Sequence, residues 1–331
     1  VSLSGAGQRI VVTGGAGYIG SHTVLQLIEQ GYDVVVLDDL SHGYRHNVEP
    51  GQLREIRLQD GAGVRQVLEE KPCVAVIHFA AFISVGESMK DPGMYFENNT
   101  AGSLSLFRAM VEAGVKKLVF SSTAAVYGMP KSVPIPEDFP YAPVNVYGAS
   151  KVMVEQILGW FDQIHGLKSV CLRFFNASGA DPKGRRGEEH QPESHLIPLL
   201  FRAVESGKPI TLFGQDYPTP DGTCIRDYIH VSDLAQAHIF AVEHLLNGGA
   251  SDKFNVGTGK GFSVKEVVES VERVTGQKVP FDFGPRRDGD PAELVADSSR
   301  LKQVLGWSPQ FAELDAIVKT AWDFERSRKP A

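Results

Sequence analysis

The sequence predicts an α/β fold: a doubly wound parallel sheet joined to a smaller mixed α/β lobe. In the first half, short β-branched runs alternate with longer segments of helical period. A glycine-rich loop joins the first strand to the first helix, and the pattern turns irregular after Asn176. Strands that alternate with helices favour a parallel sheet covered on both faces.

The elements can be justified in order. Arg9–Thr13 (RIVVT) is a β-branched run, and Ile19–Glu29 carries apolar residues at helical spacing. Asp33–Leu37 (DVVVL) is continuously apolar, as a strand buried on both faces should be. Cys73–His78, Lys117–Phe120 and Ser169–Phe174 supply three more strands, with amphipathic helices over Met94–Ala113 and Val146–His165 between them. Residues 177–195 hold glycines, charges and a proline without a period and read as loop, and Tyr217–Gly222 is dense in turn signals. Apolar segments return at Leu234–Leu246, Val264–Val274 and Leu314–Phe324. The expected division is residues 1–176 for a nucleotide-binding domain and 177–331 for a substrate lobe, with about 226–256 returning to the first sheet.

Composition excludes several classes. A chain of 331 residues with 42% hydrophobic and 22% charged residues can bury a core without staples. Its net charge of −7, without a long basic block, argues against nucleic acid or an anionic membrane as partner. The three cysteines, Cys73, Cys171 and Cys224, are too scattered for a disulfide framework or a zinc site, and no metal ion is expected. No apolar run approaches the roughly 18 residues of a membrane span. Val1 to Gln8 lack a basic leader pattern and read as a frayed start, so a soluble, cytoplasmic protein is expected.

Gly14, Gly15, Gly17 and Gly20, with Tyr18 and Ile19 opening the helix, satisfy a dinucleotide-binding glycine pattern after a strand. Glycine suits a tight turn where backbone approaches a pyrophosphate, and the helix N-terminus favours that anion. This makes the first domain Rossmann-type. Asp38 ends the second strand, where a carboxylate accepts the adenosine ribose hydroxyls and repels a 2′-phosphate, so NAD is expected rather than NADP. Asp39 either shares that task or is a solvated loop carboxylate. Asp60 suits an adenine contact or a surface turn. Phe79, Ala80 and Ala81 end the third of the long strands, where small residues leave room for a cofactor.

Tyr147 and Lys151 lie at i and i+4 on one face of a helix start, and Ser121-Ser122-Thr123 ends the strand before it. Ligands of such sheets bind at the carboxyl edge, where all three residue types fall. A phenol is a poor base at neutral pH, so a neighbouring ammonium and the positive nicotinamide are together expected to favour its phenolate and lower its pKa. Tyr147 then takes a proton from a sugar hydroxyl, Lys151 holds the nicotinamide ribose, and Thr123, with Ser122, holds the reacting oxygen.

These residues stand in longer segments: VTGGAGYIGSHT (12–23), VIHFAA (76–81), VGESMKDP (85–92), SSTAAVYG (121–128), YGASKVMVEQIL (147–158), RFFNASGADP (173–182), DYPTPDGTCIRDYIHVSDLA (216–235) and PRRDGDPAELVAD (285–297). Together they resemble the extended short-chain dehydrogenase/reductases, and within them the nucleotide-sugar 4-epimerases, from Arg9 to about Trp322. The resemblance implies tightly bound NAD, a UDP-sugar substrate, and reversible interconversion of UDP-galactose and UDP-glucose through a 4-keto sugar. It implies Thr123, Tyr147 and Lys151 as the catalytic trio, with Asn98 and Asn99 near cofactor and active site and Ser121 beside the cofactor. It implies Asn176 on the diphosphate or sugar, Arg226 and Arg287 clamping the diphosphate, Leu196, Phe213 and Tyr228 about the uridine, Asp290 on its ribose, and His195 among the substrate-binding residues. Two arginines suit a diphosphate on chemical grounds as well, through the guanidinium fork. A homodimer through Met94–Ala113 and Val146–His165 is implied, although the same apolar faces serve for packing on the sheet.

Thr123 stands where some relatives carry serine, and either hydroxyl donates. Leu294 occupies a position that influences whether the pocket admits an N-acetyl group; leucine is intermediate in size, so UDP-N-acetylhexosamines stay open as substrates, as do UDP-pentoses and UDP-uronic acids. Relatives that dehydrate the sugar carry a carboxylate just after the Ser/Thr, where this chain has Ala124 and Ala125. The cofactor motif by itself would also suit a net dehydrogenase or a non-catalytic NAD-binding protein.

Overall fold

The structure, a computed structural model, describes residues 5–287 and 289–328. Its first half runs β1 (Arg9–Thr13), α1 (Tyr18–Glu29), β2 (Asp33–Asp38), β3 (Leu53–Glu55), α2 (Gly61–Glu69), β4 (Cys73–His78), α3 (Val85–Ser88), α4 (Pro92–Tyr95), α5 (Gly102–Glu112), β5 (Lys117–Thr123), α6 (Val146–His165) and β6 (Lys168–Phe174). The second half runs β7 (Asn176–Ser178), α7 (Leu196–Ser206), β8 (Ile210–Phe213), β9 (Ile225–His230), α8 (Val231–Leu246), β10 (Asp252–Val256), β11 (Gly261–Ser263), α9 (Val264–Thr275), β12 (Phe281–Gly284), β13 (Glu293–Leu294), α10 (Ser299–Leu305) and α11 (Leu314–Ser327).

Seven strands form one parallel sheet in the order β10-β6-β5-β4-β1-β2-β3. Side chains alternate across it with the two-residue period of a strand. Ile10 and Val12 of β1 face a core completed by α1 (Val24, Leu27) and α8 (Leu234, Ala237, Ala241). Val11 faces a second core completed by α2 (Val64, Leu68), α5 (Leu106, Met110) and α6 (Val154, Leu158). Burial on both faces is why these strands read as unbroken apolar runs.

α8 and β10 therefore belong with the first sheet, although they come late in the chain. β9 does not: it pairs with β7, β11 and β13 in a separate four-stranded sheet. β8 and β12 make a third, two-stranded sheet. α7, α9 and α11 cover these strands over a core of Leu200, Phe201, Val267, Ile317 and Val318.

The expected frayed start is corrected in part. Val1–Ser4 lie outside the described residues, but Gly5 to Gln8 form a packed turn, with Gly7 N donating to Gly31 O at 3.0 Å and Gly5 seated against the Tyr32 ring. All three cysteines are free thiols, two buried and Cys73 partly so. No helix of the described residues is long and apolar enough to cross a membrane.

Candidate active site

The carboxyl ends of β1, β2, β4 and β5 meet at one edge of the large sheet. After Thr13 the chain turns through Gly14, at φ 70°, into α1. A Cβ on Gly14 would come within 2.5 Å of Ala80 N, one on Gly15 within 2.8 Å of Val36, and one on Gly20 within 2.2 Å of Gly14 O. Packing alone explains those three glycines. Gly17 differs: its φ is −81°, and a Cβ there would meet only one described atom, Gly14 O at 3.4 Å. Neither strain nor packing asks for glycine at Gly17, whereas close approach of a ligand does. No side chain caps α1, so the first-turn N–H groups of Tyr18, Ile19 and Gly20 are available to an anion. The Tyr18 ring points elsewhere, its hydroxyl donating to Gly179 O at 2.6 Å; only its backbone belongs to the loop.

Asp38 is buried and accepts from Ala16 N and Leu40 N, both at 2.9 Å, which braces the glycine loop against β2. Burial pushes its carboxyl pKa up, and the two N–H donors oppose that. Asp39 accepts from Ser41 N at 3.0 Å and faces Arg57. Asp60 is exposed and caps α2 through Gly63 N at 3.0 Å. Phe79 N donates to Thr13 O, so Phe79-Ala80-Ala81 runs alongside the glycine loop, with the Phe79 ring against His238.

Thr123 ends β5, and Tyr147 and Lys151 occupy the first turns of α6, which Asn145 caps by accepting from Gly148 N at 2.8 Å. All three side chains are buried, and the Thr123 side chain hydrogen-bonds to Tyr147. The Lys151 ammonium donates to Ser121 O at 2.9 Å and lies 4.8 Å from the Phe120 ring centroid and 5.9 Å from that of Tyr147. Ser121 thus contributes its carbonyl. The depth of Tyr147 in the protein works against the phenolate that its neighbours are expected to favour. Burial pushes its phenol up to about 12, opposed by the Thr123 hydrogen bond. Burial also pushes Lys151 down to about 7, opposed by Glu155. Desolvation disfavours both charged forms.

Ser122 is also corrected. Thr123 faces the site, so its neighbour on the strand faces away, and Ser122 donates to Glu155 at 2.5 Å with no exposure. Glu155 in turn holds Arg173 of β6 at 2.7 Å, both fully buried, with Tyr127 and Tyr141 completing the network. Burial raises the Glu155 pKa, but Arg173 and the hydroxyl donors more than offset it and keep the carboxylate ionised. Two signals could have found this pair. Glu155 follows Lys151 by one helical turn, and Arg173 interrupts an apolar strand.

Asn98 and Asn99 lie in a π-helical stretch, Phe96–Ala101, between α4 and α5. Asn99 is buried, accepting from Phe82 N at 2.8 Å and donating to Phe82 O at 3.0 Å and Ser150 Oγ at 3.2 Å. It therefore pins the loop after β4 to α6. Asn98 donates to Asn99 at 3.1 Å and is half-buried.

The expected substrate residues come from the second lobe. Asn176 on β7 pairs in register with buried Tyr228 on β9, and Arg226 on β9 with Leu294 on β13. Arg226 forms an ion pair with Asp290 and donates to Pro291 O at 2.9 Å. The Arg287 guanidinium lies over the half-exposed Phe213 ring at 4.2 Å. Leu294 packs against the small apolar cluster that includes Ala124, Val126 and Tyr127, the residues that follow Thr123. Leu196 opens α7, and the ring of His195 before it is engaged with Glu188.

A dinucleotide cradle, a buried Tyr–Lys pair and a second lobe carrying arginines together define an enzyme that does redox chemistry on an anionic small molecule. Family comparison agrees: residues 10–257 match the NAD dependent epimerase/dehydratase family, and the chain belongs to it. A UDP-glucose 4-epimerase of Halalkalibacterium halodurans is 50% identical over 325 residues, 96% of each chain. Among solved structures, UDP-glucose 4-epimerase from Brucella ovis in complex with NAD superposes with a TM-score of 0.93 at 45% identity, covering 96% of this chain and 98% of that one. The enzyme from Bifidobacterium longum, in complex with NAD+ and UDP, gives 0.91 at 35% identity over 97% and 99%.

Proposed function

We propose that this chain is a UDP-glucose 4-epimerase that interconverts UDP-galactose and UDP-glucose on retained NAD. The observation that carries the reading is the buried Thr123–Tyr147–Lys151 set beyond a glycine loop whose Gly17 leaves the N-terminus of α1 open to a ligand. The pyrophosphate would lie on Gly17 and the α1 N-terminus, the adenosine ribose at Asp38, and the nicotinamide ribose at Lys151. NAD, when bound, supplies the hydride acceptor and donor for C4 and a positive ring whose charge favours the Tyr147 phenolate.

The chain's own groups handle the proton. Tyr147 takes it from the C4 hydroxyl as the C4 hydride leaves, giving a 4-keto sugar, and returns it when hydride comes back to the opposite face. Thr123, already bonded to Tyr147, holds the same oxygen. Ala124 and Ala125 cannot move a proton, so nothing beside Thr123 serves elimination across C5–C6. Arg226 and Arg287 would clamp the diphosphate, with Asn176 and Asp290 on the sugar and ribose and Phe213, Tyr228 and Leu196 about the uracil.

The same reading divides the chain into a cofactor domain, residues 5–176 with α8 and β10, and a UDP-sugar lobe from the remainder. It also includes a homodimer through α5 and α6. Leu104, Met153, Trp160 and Ile164 are exposed on those two helices, with Trp160 65% and Ile164 66% accessible, and aromatic and aliphatic side chains so placed favour a partner.

The test is NMR of purified protein with UDP-galactose and no added cofactor. Appearance of UDP-glucose to a stable mixture supports the proposal. Absence of conversion, with UDP-xylose or UDP-glucuronate epimerised instead, would move the substrate and keep the chemistry.

A further inference from the structure

The loop between β7 and α7 brings four ligand-type side chains to one point, and the proton and hydride chemistry uses none of them, although the resemblance counts His195 among the substrate residues. Glu188, His190, Glu193 and His195 each present one atom, and these atoms lie within 4.8 Å of one another. His190 Nδ1 is 3.3 Å from Glu188 Oε1 and 3.9 Å from Glu193 Oε2, and His195 Nδ1 is 3.6 Å from Glu193 Oε1. Glu188 Oε1 and His195 Nδ1 stand closer still. Yet Glu188 Oε1, His190 Nδ1 and His195 Nδ1 are all shut off from solvent with no hydrogen-bond partner of acceptable geometry. Side chains of Glu188 and Glu193 are only 8% and 2% exposed. Buried polar atoms left unsatisfied are costly, and here three of them converge.

The surroundings hold these side chains in place. Glu193 Oε1 accepts from Ser194 N at 2.7 Å and His195 N at 2.8 Å, which leaves Oε2 turned to His190. The His190 and His195 rings meet edge to face at 5.0 Å, and the Tyr18 ring, with its hydroxyl on Gly179 O, backs His190 at 6.1 Å. The donor set is two imidazole nitrogens and two carboxylate oxygens, all from the chain. That set suits zinc rather than magnesium or calcium, which prefer oxygen alone. Tetrahedral zinc at about 2.0–2.1 Å from its ligands sets them roughly 3.3 Å apart, and the separations found lie on both sides of that value, up to 4.8 Å, so small side-chain shifts would seat the ion. Two carboxylates also neutralise a divalent cation.

We propose that Glu188, His190, Glu193 and His195 form a structural zinc site. The ion clips residues 188–195 into one turn and fixes the start of α7, where Leu196 sits, against Tyr18 at the start of α1. It thereby ties the lobe that carries the substrate residues to the helix that follows the glycine loop. With four protein ligands the site is closed, so the ion takes no part in the sugar chemistry.

The test uses untagged full-length protein, stripped with a chelator and titrated with cobalt(II) alone, read by visible absorption, then with zinc(II) to displace it. The expected result is saturable uptake of one cobalt per chain with a tetrahedral spectrum, displaced by zinc, and a higher melting temperature for the zinc-loaded form. Glu188→Gln and His190→Gln are each expected to weaken uptake at least tenfold, with folding of each variant checked by circular dichroism. Absence of saturable uptake by the wild type overturns the proposal whether or not the variants fold. So does uptake that survives both substitutions, since the ion is then held elsewhere. UDP-galactose turnover is not the readout, so failure here and failure of the epimerase reading are distinguishable.

Discussion

On the cofactor side of the site, Thr123 ends a seven-residue strand and Tyr147 and Lys151 open a twenty-residue helix, and each is bonded into the protein around it. On the proposed substrate side, Arg226 and Leu294 lie on strands of six and two residues, and Arg287 and Phe213 rest against each other at the surface. The first set is preorganised by the core. The second is paired with itself: Arg226 holds Asp290, and Arg287 covers Phe213, contacts that a diphosphate and a uracil would replace. Chemistry that tolerates little misplacement rests on long, regular elements, and recognition that must open for a ligand rests on short ones. Substitutions should therefore act differently on the two sides.

The largest effect is expected at Tyr147→Phe, which removes the proton acceptor and leaves the packing. Turnover of UDP-galactose should fall by about three orders of magnitude or more, equivalent to ~4 kcal/mol, with folding and bound cofactor retained. A variant within tenfold of wild type would break the mechanism.

Next comes the network behind the trio. Glu155→Ala leaves Arg173 buried without its partner and should cost about 3–5 kcal/mol of stability, read from denaturant midpoints. Because Glu155 also supports the charge on Lys151, kcat should fall more than KM rises. Loss of stability below about 1 kcal/mol would show that water reaches the pair.

Acid should unfold the protein through its buried imidazoles. Burial pushes His22 and His238 down to about 4, and His78 and His230 to about 3, so the native state holds them neutral. The unfolded chain protonates near 6.5, so it binds more protons between there and the folded values. These four histidines add no pH dependence above about pH 6.5 and lower stability as pH drops, by about 2 kcal/mol per histidine at pH 5. A melting temperature unchanged between pH 7 and pH 5 would contradict the neutral assignments.

Smaller effects belong to the substrate side. Arg287→Ala should raise KM for UDP-galactose by about 10- to 100-fold, roughly 1.5–3 kcal/mol, with little change in kcat. Equal losses in kcat and kcat/KM would place Arg287 with the preorganised set and erase the comparison. Leu294→Tyr should shift preference by a few-fold toward UDP-galactose over UDP-N-acetylgalactosamine, since an aromatic ring in place of leucine narrows the space it borders. An unchanged ratio would remove Leu294 from the pocket.

The same division governs what can be read from the sequence. β1, β2, β4 and α6 are readable to within a residue, because strands buried on both faces become unbroken apolar runs and a long helix shows its period. β3, β8, β11 and β13 span two to four residues, too short for any period, and their pairing depends on partners far along the chain. The glycine loop and the Tyr–Lys spacing are local and therefore visible. The facing of Ser122 depends on the pleat of β5, and the pKa of Tyr147 on how deeply the pair is buried; neither is written locally. The Glu188 to His195 cluster lies within an aperiodic loop, where only the fold shows that four side chains converge.

The central claim, that hydride leaves C4 and returns to the same carbon inside a closed site, is tested most directly with UDP-galactose deuterated at C4. Conversion in water should give UDP-glucose with the deuterium still at C4. Deuterium lost to water, or found in added NAD, would contradict it, the first pointing to proton abstraction at carbon and the second to a dehydrogenase with exchanging cofactor.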